Sequence, residues 1–164
     1  MDFFLILIVA TITQATLLVF ALSTSKHSYK TPNYLLSGLI VLFSYYALVK
    51  VLSNTNEIFH YPYLIRTYRP IFILACAVIY FYCKALTTPG LRFSYKDTLH
   101  LLPFGLYTLI MLPFFFSDPA TKIASLSLQP FTLSWVMERS FWVIIFFFYF
   151  GLSFRTIHHH QQHI

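Results

Sequence analysis

Hydrophobic positions in this chain neither alternate with polar ones nor keep to one helical face; they continue in long, nearly charge-free runs. The first, "FFLILIVATITQATLLVFAL", covers residues 3–22, and four more cover 32–52, 67–86, 98–117 and 133–155. A helix rises about 1.5 Å per residue, so about 20 apolar residues cross a hydrocarbon layer about 30 Å thick. The pattern predicts an all-α fold: a polytopic transmembrane helical bundle of about five spans. Residues 1–155 form one transmembrane helical domain, and 156–164 form a cytoplasmic juxtamembrane tail.

The segments between the runs read as short connections. "STSKHSYKTPN" is basic and rich in turn formers, which makes the first two spans a hairpin, with Pro32 in the first turn of the second. "SNTNEIFHYPYLI" carries Phe59, Tyr61 and Tyr63, rings that favour the headgroup region, so this loop is expected along the outer interface. Pro89 and Gly90 break the third span from the fourth, for which Asp97 is the expected N-cap. Pro103 and Pro113 are both placed inside the fourth span, where each would bend it. "SDPATKIASLSLQP" is too polar to span and reads as a short amphipathic helix.

Composition agrees with a membrane solvent. Of the 164 residues, 58% are hydrophobic, 20% aromatic and only 10% charged, against about 25% charged in ordinary globular chains. A secretory leader is a poor fit for the first run, because Asp2 stands where a basic n-region belongs and the apolar run is too long. A net charge of +6 would point to nucleic acid in a soluble protein, but here its distribution sets orientation. With the N-terminus outside, Lys26, Lys30, Lys84, Arg92, Lys96 and Arg155 lie inside against Asp97 alone. Lys50, Arg66, Arg69, Lys122 and Arg139 lie outside with Asp2, Glu57, Asp118 and Glu138, so N-out and C-in is expected.

No catalytic signature is present: no nucleophile elbow, no metalloprotease helix, no phosphate-cradling glycine loop, and only four glycines. No enzyme activity and no cofactor are expected. Cys76 and Cys83 are seven residues apart in one predicted helix, about 10.5 Å, too far for a disulfide, and read as packing residues.

Ionisable and polar groups at membrane depth are the candidates for ligand contact. Glu138 and Arg139 are adjacent within "LSWVMERSFWVIIFFFYF" and point about 100° apart on a helix, so each needs its own partner. They belong either to an outer-facing charged pocket or to side chains snorkelling at the start of the fifth span. Arg69 anchors in headgroups or binds an anionic ligand, Trp142 lines a cavity or belongs to an aromatic belt, and Gln14 binds ligand or hydrogen-bonds between helices. His159 and His163 share a helical face as metal ligands sometimes do, but no Cys or acid stands near them. A basic helix end at the inner surface is the simpler reading.

Four stretches carry a family resemblance. They are "YKTPNYLLSGLIVLFSYYAL" after the basic loop, "IYFYCKAL" ending the third span, "FSYKDTLHLLPF" leading the fourth, and "FRTIHHHQQHI" leaving the fifth. Together they resemble the N-terminal membrane domain of bacterial AraC-type helix-turn-helix transcriptional regulators. That resemblance implies a sensory or anchoring module in the bacterial cytoplasmic (inner) membrane, a fragment lacking the last spans and the DNA-binding domain. Its partners would be the lipid bilayer, an unknown small-molecule or membrane signal, and DNA only through the missing C-terminal domain; a homodimer is a further candidate. Two other readings stay open: the input module of a sensor kinase, and a self-contained small membrane protein such as a transporter subunit.

Overall fold

The computed structural model describes residues 3–24, 30–88, 90–91, 93–126 and 133–162. The long apolar runs form helices α1 (Phe3–Thr24), α2 (Lys30–Asn54), α3 (Tyr68–Thr87), α4 (Leu102–Phe115) and α6 (Leu133–Gln161), with a short α5 (Pro119–Ala124) between the last two. There is no strand among the described residues. A backbone in hydrocarbon must satisfy its own hydrogen bonds, and the helix does so within one segment.

Four stretches are long and apolar enough to cross a membrane: Lys30–Asn54, Tyr68–Thr87, Tyr95–Phe115 and Val136–Gln161. In α1 the described residues offer the shorter apolar stretch Val9–Thr24. Outward faces are apolar as well, with Phe147, Phe150 and Phe154 of α6 each more than 60% exposed. A contiguous exposed surface of this kind suits lipid and not water.

Helix α3 is the centre of the bundle, with α2 on one side and α4 and α6 on the other, while α1 packs on α2. Its buried face alternates bulk with small residues: Ile73 and Phe81 project among Ala75, Cys76, Ala77 and Ala85. Small residues let neighbouring backbones approach closely, which is what drives packing where lipid is as apolar as the core. Ile73, Cys76 and Ala77 meet Tyr107 of α4 and Ile145 and Tyr149 of α6 in the main core. A second cluster joins Val49 of α2 to Ile58 and Ile65 of the following loop.

That loop forms two 3-10 turns, Glu57–His60 and Pro62–Leu64. Ile58 and Ile65 pin it to the bundle while Phe59, Tyr61 and Tyr63 face out.

Two local expectations are corrected. Pro103 does not kink a helix interior: Tyr95–Leu101 is a 3-10 segment and α4 starts at Leu102, so Pro103 occupies the first turn, where its missing N–H removes no bond. Only Pro113 lies inside α4. Asp97 does not precede its helix but sits one turn inside, where its Oδ2 accepts the Ser94 backbone N–H at 2.8 Å. The short helix expected after the fourth span forms over Pro119–Ala124, and its Lys122 is buried.

Candidate functional site

The charged residues are sorted to the two ends of α3. At its N-terminal end, Arg69 Nη1 donates to both carboxylate oxygens of Glu138 on α6, at 2.6 Å to Oε1 and 2.5 Å to Oε2. The Tyr107 hydroxyl of α4 also donates to Glu138 Oε1. One carboxylate therefore ties three helices together. The Arg69 and Glu138 side chains are 10% and 17% exposed, so the pair is largely withdrawn from solvent. A buried ion pair is held in place mainly because each charge would be costly without the other.

Trp142, one turn after Glu138, stacks on Phe72 of α3 with centroids 5.5 Å apart, and the Arg139 guanidinium lies 5.1 Å from its ring. Phe141 stacks on Tyr107 with ring planes 6° apart. Adjacent Glu138 and Arg139 thus take separate partners, an acid-base one and an aromatic one. Two buried donors of the cluster, Arg69 Nε and Trp142 Nε1, have no hydrogen-bond partner.

Arg66 approaches the same end from the turn before α3. Its backbone is left-handed at φ 64°, Nη2 donates to the Ser125 carbonyl at 3.0 Å, and its guanidinium lies 5.0 Å from the Phe114 ring. Burial, and then the neighbouring Arg69, lowers the Arg66 guanidinium below the ordinary arginine range, though arginine remains charged at neutral pH. A non-glycine residue at positive φ costs on the order of 1 kcal/mol or more and persists where surrounding contacts dictate it.

The remaining cations of this end follow one rule. Lys50 Nζ lies 4.9 Å from the Tyr68 ring, and Lys122 Nζ lies 4.8 Å from the Tyr63 ring while donating to the Phe115 carbonyl at 2.8 Å. Lys50, Arg66, Lys122 and Arg139 each lie over an aromatic ring, and Arg69 has the carboxylate. With only five acids in the chain, ring quadrupoles do much of the work that carboxylates do elsewhere, at about 0.5–2 kcal/mol each.

At the other end of α3, Lys84 Nζ meets Asp97 Oδ1 at 2.5 Å. Near it the Tyr149 hydroxyl of α6 donates to the His100 carbonyl at 2.6 Å, and the rings of Tyr80, His100 and Tyr149 group together.

Of the residues singled out from sequence, Arg69, Glu138, Arg139 and Trp142 come together in one cluster. Gln14 does not join them: it is exposed on α1, and no hydrogen bond from another helix reaches its side chain among the described residues, because its face turns away from α2. His159 is exposed on the last turns of α6, and His163 lies outside the described residues. No group of three or more metal-ligating side chains occurs among the described residues. Tyr107 and Lys122 were missed as site residues. Tyr107 sits in an apolar run among many aromatics and has no distinguishing neighbour, whereas the Tyr63 ring that receives Lys122 is remote from it in sequence, and the Phe115 carbonyl is a backbone group that residue type does not announce.

No protein-family model, no curated protein and no solved structure matches this chain.

Proposed function

We propose that the chain is the membrane-embedded sensory and anchoring module of a transcriptional regulator, crossing the bacterial cytoplasmic membrane five times with its N-terminus outside. Its signal-responsive element is the cluster of Arg69, Glu138 and Tyr107. One observation carries this reading: a single, largely withdrawn carboxylate holds α3, α4 and α6 together, and α6, 29 residues long, runs on unbroken from it to Gln161.

On α3, Arg69 and Lys84 are separated by about 22 Å, and on α6, Arg139 and Arg155 by about 24 Å. Both distances are shorter than a hydrocarbon core of about 30 Å. In a bilayer one of these charged layers sits inside the hydrocarbon edge, where Arg69 and Glu138 neutralise each other. A signal that separates them, by offering Arg69 another anion, releases α6 from α3 and α4. The far end of α6 then moves as a rigid rod. Such a signal acts only through a difference in affinity for the two arrangements. A DNA-binding output belongs to the family resemblance and not to these 164 residues.

The test is a fusion of the chain, through Ile164, to a dimer-dependent DNA-binding reporter in a bacterial membrane. Glu138→Gln is expected to change reporter output at unchanged protein level. Equal output from both proteins contradicts the sensory role.

A further inference from the structure

A cavity of about 520 Å³ opens between the C-terminal end of α3 and the last turns of α6, far from the Glu138 cluster. Half-buried Tyr80, Leu152 and His160 and exposed Thr88, Arg155 and His159 are among the residues that line it. No carboxylate is in the lining. Lys84, the nearest cation on α3, is already held by Asp97, so Arg155 is the permanent charge of the cavity. Thr87 and Thr156 commit their hydroxyl protons to the Cys83 carbonyl at 3.0 Å and the Leu152 carbonyl at 2.9 Å, which leaves Thr88 and the Tyr80 phenol as the hydroxyl donors of the lining.

We propose that this cavity binds a phosphate anion, carried by the headgroup of an acidic phospholipid or by free phosphate. The chemistry is one guanidinium, whose forked donors fit phosphate, with imidazole and hydroxyl donors around it. A pocket in the range of about 300–1,000 Å³ takes a whole small molecule, so there is room for a headgroup with its first methylenes against Leu152 and Tyr80. Apolar side chains beside a single guanidinium match the polarity of a lipid entering from the membrane plane. The inference rests on the membrane placement proposed above but not on the sensory role.

The experiment takes the purified 164-residue chain in detergent and follows lipid retention by native mass spectrometry. Phosphatidylglycerol is expected to be retained about tenfold better than phosphatidylcholine of the same chains, and Arg155→Gln to lose about tenfold, the effect of one charge-assisted hydrogen bond. Lys96→Gln removes an exposed cation of the same end that is not in the lining, and is expected to retain lipid as the parent does. Should Arg155→Gln fail to fold, the double variant His159→Gln/His160→Gln serves, both positions lining the cavity.

Inorganic phosphate, titrated by phosphorus NMR, separates the sources. Lipid that resists millimolar phosphate identifies the headgroup; phosphate that binds alone with the same Arg155 dependence identifies the free anion. Equal retention of the two lipids together with no Arg155-dependent phosphate signal overturns the site. Release of the chain from membranes by alkaline carbonate sinks the membrane placement separately, and the phosphate titration then decides the cavity.

Discussion

Arg69 and Lys84 stand 15 residues apart on α3, and each ends on a carboxylate from another part of the chain, Glu138 in one case and Asp97 in the other. The central helix is thus fastened at both ends by charge, with no charged residue between them. At one end the acid comes from a neighbouring helix 69 residues later; at the other it comes from a segment 13 residues later. The near pair closes a local turn. The distant pair joins the first half of the chain to the last helix.

Removing Glu138 therefore leaves Arg69 buried without its partner. Glu138→Ala is expected to lower stability by about 3–5 kcal/mol, and the double variant Arg69→Met/Glu138→Met to recover most of it, because burying two charges is itself costly. Unfolding of the purified protein in mixed micelles checks both. A double variant as unstable as the single one shows that the pair does more than satisfy itself.

Motion of α6 should register at its far end. With spin labels at exposed Leu86 and Phe154, Glu138→Gln is expected to add a second distance population, shifted by about 1–2 Å or more as helix displacements usually are. A single unshifted distribution would separate the charged cluster from any signalling through α6.

Tyr149→Phe takes the donor from the His100 carbonyl without changing packing volume, so a loss of about 1–2 kcal/mol is expected in the same unfolding assay. A variant as stable as the parent shows that the carbonyl finds another donor.

Gln14 gives the opposite expectation. Its amide is exposed on α1, so Gln14→Leu should change the stability of a single bundle by no more than about 0.5 kcal/mol. A larger loss, or a lost higher-order species in cross-linking, identifies a helix from another copy as its partner.

The long apolar helices were legible because their signal is local: about 20 apolar residues in a row define a membrane-length helix whatever surrounds them, and four of the described helical stretches reach that length. So was the divergence of Glu138 and Arg139, which follows from helical rotation alone. The partner of Glu138 was not legible, since nothing in the residues around Arg69 or Tyr107 announces a contact with α6. Pro103 was misplaced for a related reason: a proline marks a helix start or a kink, and which one depends on where the preceding 3-10 segment ends. The burial of Lys122 reverses its polarity in sequence, because a ring and a carbonyl supplied by other segments receive it.

The most direct measurement labels single cysteines in a Cys76→Ala/Cys83→Ala background with a membrane-impermeant maleimide. Tyr61 in the loop before α3 and Gln162 after α6 are both exposed and lie beyond opposite ends of the helices. Tyr61→Cys should react in intact cells and Gln162→Cys only after permeabilisation, which places the Arg69 and Glu138 pair near the outer face and the Arg155 cavity at the inner one. Reaction of both positions from the same side would contradict the transmembrane arrangement on which the account depends.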